Sequence, residues 1–207
     1  MPAKNDDLHG NVPESSPVAL VMVDVINDLE FDGGEDLLPY ALQMARRLAV
    51  LAGRARESGV AVIYVNDNFG KWRSDFRALL EHCRNDNVRG REIAEILAPK
   101  KSDYFVLKPK HSAFFSTTLD TLLEYLHVRT IIVTGITTDR CVLFTASDAH
   151  MRDLHLVVPE DCCAADSEQH QRDAIEMIQR VLGADTTSSD KLDLKRLKTE
   201  TLHGKKR

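Results

Sequence analysis

The chain has 207 residues, enough for one α/β domain with a full core. A formal net charge of -5 leaves no basic excess to neutralise phosphates, which argues against nucleic acid as a partner. Hydrophobic residues at 43% and charged residues at 29% suit a globular protein, and no apolar run is long enough to span a bilayer, so no membrane role is expected.

The first 16 residues are polar, carry Gly10, Pro13 and a Ser15-Ser16 pair, and read as a flexible lead-in without a signal-peptide core. Val18-Ala19-Leu20-Val21-Met22-Val23 is a continuous apolar run closing on Asp24, the pattern of a strand covered on both faces. A turn-rich loop over 27–34 precedes a helical pattern in Leu38, Leu42, Ala45, Leu48, Ala49 and Ala52, which Gly59 stops. Val60-Ala61-Val62-Ile63-Tyr64-Val65 is a second buried strand, ending at Asn66-Asp67-Asn68. Two short helices are expected near 73–83 and 91–97, the second ended by Pro99. Asp103-Tyr104-Phe105-Val106-Leu107 is a third strand, closed by Lys108-Pro109. A helix over 118–126 leads to the strand Ile131-Ile132-Val133-Thr134-Gly135 and then to a long helix from about 141 to 152. A fifth strand lies in 154–159, a helix over 167–182 takes Ser167 as N-cap and Gly183 as stop, and a short sixth strand is placed near 184–186. The domain is therefore drawn over 17–187, followed by a polar tail from 188 to 207 with a short helix near 191–197.

Strand and helix alternate, and the first, second and fourth strands are apolar throughout. That pattern predicts a three-layer, doubly wound α/β domain (Rossmann-like) with a mostly parallel sheet of about six strands. Ligands in such sheets bind beyond the carboxyl ends of the strands. Those ends offer Asp24, Asn66 to Asn68, Lys108, and Thr137 to Cys141. Thr138 and Asp139 are N-cap candidates, which places Cys141 in a first helical turn where free amides and the helix dipole favour a thiolate. A carboxylate, an amine and a thiol on one rim suffice for covalent catalysis. Each also has an ordinary alternative: an Asp caps turns, a Lys before Pro is a solvated charge, and a lone Cys is a core residue. The four cysteines, Cys83, Cys141, Cys162 and Cys163, show no zinc-ligand spacing and read as reduced thiols in a cytoplasmic protein, with Cys162 and Cys163 packed beneath the exit of the fifth strand.

Three stretches stand in order along the chain: Val23-Asp24-Val25-Ile26-Asn27-Asp28-Leu29, Leu107-Lys108-Pro109-Lys110-His111-Ser112-Ala113-Phe114, and Gly135-Ile136-Thr137-Thr138-Asp139-Arg140-Cys141-Val142. Together they resemble the isochorismatase-like cysteine hydrolases, which include nicotinamidases, N-carbamoylsarcosine amidohydrolases and ureidoacrylate hydrolases. The likeness runs from about Val18 to Gly183. It implies a catalytic triad of Asp24, Lys108 and Cys141, a cis peptide between Ile136 and Thr137, and an oxyanion hole made by the amides of Thr137 and Cys141. The family's lysine directly follows its strand and precedes the Phe of Ser-Ala-Phe by six residues, which selects Lys108 over Lys110. The implied reaction is hydrolysis of a small amide-type C–N bond through a thioester, without a cofactor, in a homo-oligomer. Two other readings stay open: an isochorismatase-type vinyl-ether hydrolase, which acts without the cysteine, and a non-catalytic or redox-thiol relative. Nicotinamidases carry an Asp-x-His element and further His that bind a divalent metal; Asn66-Asp67-Asn68 lacks that His, so no metal is expected. Phe31, Asn66, Asn68 and Trp72 are candidate substrate-binding residues, through amides that bond a polar group and rings that stack on it.

Overall fold

Every residue of β1 (Val18–Val23) is buried, and the rest of the sheet is laid down outward from this strand. This computed structural model describes residues 15–69 and 75–202. After β1 the chain runs through α1 (Gly34–Glu57), β2 (Ala61–Asp67), α2 (Phe76–Asn85), α3 (Arg91–Ile96) and β3 (Tyr104–Lys108). It returns through α4 (Leu119–Tyr125) to β4 (Thr130–Ile136), a π-turn (Thr138–Val142), α5 (Leu143–His150) and β5 (His155–Val157). A 3-10 turn (Glu160–Cys162), β6 (Cys163–Ala164), α6 (Glu168–Leu182), a second 3-10 turn (Ser189–Lys191) and α7 (Leu194–Leu202) complete it.

The strand order is β3-β2-β1-β4-β5, all parallel, with β6 paired to the end of β4. The chain moves from β1 outward to β2 and β3, then crosses back to β4 on the other side. Right-handed crossovers in opposite directions put helices on opposite faces. Val18, Leu20 and Met22 accordingly pack with α1, α2, α3 and Leu194, whereas Ala19, Val21 and Val23 pack with α4, α5 and α6. The expected three-layer doubly wound sheet is what forms. The order reverses between β1 and β4, so the crevice for a ligand opens at their carboxyl ends. Gly135 is required there: its φ is 116°, and a Cβ would lie 2.0 Å from the Val23 carbonyl oxygen.

The ends of α6 follow the sequence chemistry. Ser167 accepts from His170 N at 3.2 Å, and Gly183 closes the helix at φ 64°. Asp75 caps α2 by accepting from Ala78 N, so this helix starts later than the 73 expected for it. Other expectations need correction. The sixth strand is Cys163–Ala164 and not 184–186, where Asp185 makes only an isolated bridge to Val157. Cys163 thus takes part in the sheet and is not packed beneath the exit of β5. The helix expected from 141 is a π-turn from Thr138 followed by α5, and the tail helix lies at Leu194–Leu202. That tail is tied down, since Lys198 Nζ donates to the Ser58 and Gly59 carbonyls and Arg54 donates to those of Ser189 and Leu192. Ser16, assigned to the lead-in, is buried and bonded to Val18 O and Leu126 O; residues 1–14 lie outside the described residues.

Candidate active site

Three strand ends converge at the crevice. Asp24 turns sharply out of β1 at φ 53°, with its amide bonded to Val65 O at 2.9 Å. Lys108 is the last residue of β3, in register with Asp67 at the end of β2. β4 ends in a cis peptide between Ile136 and Thr137, and the π-turn that follows is closed by Val142 N donating to Thr137 O at 3.1 Å. Turns of this width are rare and recur at functional sites. This one presents the Cys141 side chain over the ends of β1 and β3.

The polar contacts form one network. Lys108 Nζ lies 2.8 Å from Asp24 Oδ2, 3.6 Å from Cys141 Sγ and 3.7 Å from Asp67 Oδ2, and it donates to Lys110 O at 3.0 Å. Asp24 Oδ1 accepts from Asp67 N at 2.7 Å, and its carboxylate also meets the Cys141 thiol. Lys108 has no exposed surface and Asp24 only 5%, so these charges face each other in a region of low dielectric. Lys110 is exposed and meets Lys108 Nζ through its carbonyl, so of the two ammonium groups it is that of Lys108 which lies at the sulfur.

Burial and charge set the resting protonation. Burial raises the Asp24 carboxyl above its ordinary value, opposed by the Lys108 cation. Burial works against charge on Lys108 too, but Asp24 and Cys141 hold its proton on and raise its pKa. The Cys141 thiol is pushed up to about 12, first by burial and then by the charge of Asp24, with Lys108 pulling the other way. This shift runs against the thiolate expected from a helix start. Thr138 and Asp139 lie within the π-turn and are not its caps, and Thr137, which precedes it, makes no side-chain cap bond. Burial thus works against a charge on the sulfur, which lies beside the buried Asp24 carboxyl.

Several residues that the sequence did not single out complete the site. His111 Nδ1 sits 3.6 Å from Cys141 Sγ, and its ring stacks on Phe144 with centroids 5.6 Å apart. Its place directly after Lys110 in the second motif was the available signal. Gln171 of α6 accepts from Thr138 Oγ1 at 2.5 Å and donates to the Glu160 and Cys163 carbonyls, tying the π-turn to β6. Ser112 Oγ donates to Asp148, and Ala113 N donates to Thr145 Oγ1, so the loop after Lys108 is pinned to α5.

The candidate substrate-binding residues separate. Asn66 is fully buried and donates its amide Nδ2 to Ile26 O at 2.7 Å, pinning the loop after β1, while its Oδ1 has no partner among the described residues. Asn68 is buried beside β3, with its backbone N donating to Lys108 O. Phe31 is 41% exposed on the β1–α1 loop and is not among the residues gathered at the sulfur. Trp72 lies outside the described residues. The divalent metal of nicotinamidases does not fit here: Asp67 Oδ1 accepts from Phe69 N, its Oδ2 faces the Lys108 cation, and no cluster of three His, Cys, Asp or Glu ligands occurs among the described residues. No helix among those residues is long and apolar enough to cross a membrane.

Residues 18–191 match the family profile described as Isochorismatase domain. The chain is 41% identical over 174 residues to the Uncharacterized isochorismatase family protein YaaI of Bacillus subtilis, covering 84% of this chain and 95% of that protein. It is 27% identical to the Ureidoacrylate amidohydrolase RutB of Cronobacter turicensis, over 72% of this chain and 74% of that one. Its fold superposes on the N-carbamoylsarcosine amidase from Thermoplasma acidophilum with a TM-score of 0.66 and 28% identity, over 85% of this chain and 98% of the other.

Proposed function

The chain belongs to the isochorismatase family, and from that premise we propose that it is a cysteine-dependent hydrolase of a small amide-type substrate, working through a thioester. The observation that carries this reading is the buried Lys108 Nζ, which joins Asp24 Oδ2 at 2.8 Å to the Cys141 sulfur at 3.6 Å. A thiol held protonated up to about 12 needs a base in contact with it, and a carboxylate whose own pKa is raised is a better proton acceptor than an ordinary one. Asp24 takes the thiol proton as Cys141 attacks the carbonyl carbon. Lys108 keeps its charge and steadies the negative charge shared between carboxylate and sulfur. The Thr137 and Cys141 amides are assigned to the oxyanion, a role typically worth about 3–4 kcal/mol in the transition state. Asp24 then gives its proton to the departing ammonia or amine, and water releases the acid from the thioester.

The test is ammonia release from a panel of small amides and ureido compounds, including ureidoacrylate and N-carbamoylsarcosine. Wild type is expected to turn over at least one of them, and Cys141→Ala to lose about a thousandfold or more. Full ammonia release by Cys141→Ala would defeat the thioester route.

A further inference from the structure

Of the three charged side chains joined at Lys108, only that of Asp67 has substantial contact with solvent: 34% of it is exposed, against 7% for Asp24 and none for Lys108. Strand alternation sets its direction. Ile63 and Val65 point to the face of the sheet covered by α4, α5 and α6, and Asp67, two residues on in β2, follows them. Lys108 pairs with Asp67 and follows Val106 to the same face, against which Cys141 also packs. The two oxygens of Asp67 are used unequally. Oδ1 accepts from Phe69 N at 2.6 Å, whereas Oδ2 lies 3.7 Å from Lys108 Nζ, longer than a hydrogen bond, and accepts none from the described residues. Both oxygens of Asp24 are already engaged, Oδ1 by Asp67 N and Oδ2 by Lys108.

We propose that Asp67 is a substrate-binding residue that selects for N–H on the leaving group, its Oδ2 accepting a hydrogen bond from the amide or ureido nitrogen that Cys141 displaces. This rests on the amide reading above, with Cys141 as nucleophile and Asp24 as the proton carrier. The nitrogen that takes the proton from Asp24 must lie against Asp24, and Asp67 is joined to that carboxyl through its own amide. The reach also fits. With the carbonyl carbon about 3–3.5 Å from the sulfur, the leaving nitrogen is one bond away, and an acceptor lies about 2.9 Å beyond it. Lys108 Nζ bridges a similar gap, 3.6 Å from the sulfur and 3.7 Å from Oδ2. Asp24 delivers its proton to the nitrogen, the C–N bond breaks, and Asp67 transfers nothing. Its bond strengthens during that step, because the nitrogen gains positive charge before it departs and a charge-assisted bond is stronger than a neutral one. An ester or a tertiary amide has no N–H at that atom and leaves Oδ2 facing a group that cannot donate. The substrate class narrows to amide and ureido compounds whose leaving nitrogen carries hydrogen.

Three acetyl compounds test this, because they share an acyl group and differ at the leaving atom: acetamide and p-nitroacetanilide carry N–H, and p-nitrophenyl acetate carries oxygen. Asp67→Asn and Asp67→Ser each keep an acceptor for Phe69 N and remove the carboxyl group. Both are expected to lower kcat/KM for the N–H compounds about thirtyfold relative to the ester. A purely structural role, acting through the Asp67–Asp24 contact, would instead lower all three rates together. An amide-to-ester ratio equal to that of wild type in both variants, whether the rates fall together or not at all, would overturn the proposal and leave the amide reading standing. A wild type that cleaves the ester but no N–H compound, here or among the small amides and ureido compounds, would defeat the amide reading itself and the selection for N–H with it.

Discussion

Two thiols lie at the carboxyl end of β4, and the proposed reaction uses only one of them. Cys163 sits in β6, paired with Gly135, and its sulfur meets the Val133 carbonyl at 3.8 Å. Burial, then the neighbouring Cys162, raises its pKa well above the ordinary thiol value. Cys141, after the cis peptide on the same strand, is also raised by burial, to about 12. Neither is a ready thiolate. The difference lies in what each sulfur touches: a carbonyl at Cys163, but a carboxylate base, a buried ammonium and an imidazole at Cys141. Burial alone makes a thiol inert. In the proposed reaction, burial beside a base that can take the proton during attack makes Cys141 a nucleophile only when a substrate is present.

Lys108→Met would bring the Cys141 region closest to the Cys163 region, a buried sulfur without a cation. It also strands Asp24, which is 5% exposed, without its ion-pair partner. Breaking a buried pair from one side costs about 3–5 kcal/mol. The variant is expected to unfold at markedly lower urea and, where folded, to lose about a thousandfold in amide turnover. Near-normal turnover would mean that the ammonium does not separate the two thiols, and the comparison would break.

Much of this contrast was legible in the sequence. The apolar runs of β1, β2 and β4 announce a parallel sheet, because strands covered on both faces need no polar alternation. The ends of β1, β3 and β4 then name Asp24, Lys108 and Cys141 without any knowledge of distance. β6 was not legible, because its two residues are too short to show a period. The π-turn escaped because N-cap rules assume an α-helical start, and Thr138 and Asp139 look like caps. Asn66 could not be placed from the sequence for a physical reason: an amide at a strand end suits a ligand or a loop carbonyl equally well, and here its amino group is given to Ile26 O. Gln171 lies thirty-three residues beyond Thr138, and only the fold brings the two side chains together.

Gln171 is also the physical link between the two thiol regions, since it bonds Thr138 on one side and the Cys163 carbonyl on the other. Gln171→Leu keeps most of the volume and leaves the buried Thr138 hydroxyl without its acceptor. Such an orphaned group costs about 1–3 kcal/mol. The expected result is a fall in kcat of about tenfold, with KM little changed, because the π-turn loosens while the Asp24–Lys108 pair stays intact. Gln171→Glu keeps the acceptor for Thr138 and is expected to recover part of the loss. Equal kcat in all three proteins would show that the turn holds its shape without this link.

The smallest effect separates resting protonation from reactivity. A buried thiol with a raised pKa gives the native state an advantage that is complete below the unfolded value of 9.0 and is lost as pH rises toward the folded value of about 12. The sign follows because above pH 9.0 the unfolded chain gains by ionising while the native thiol keeps its proton. Each such group steepens the alkaline fall in stability by up to about 1.4 kcal/mol per pH unit. Cys162, fully buried and raised to about 12, has no part in the triad. Cys162→Ala is therefore expected to flatten the fall in urea stability between pH 9.0 and about 11 and to leave turnover unchanged. Cys141→Ala should flatten it in the same direction while abolishing turnover. If the Cys141 variant shows no flattening, the native sulfur is already a thiolate at neutral pH. Lys108 would then be holding a formed nucleophile, and Asp24 would be left with no thiol proton to take.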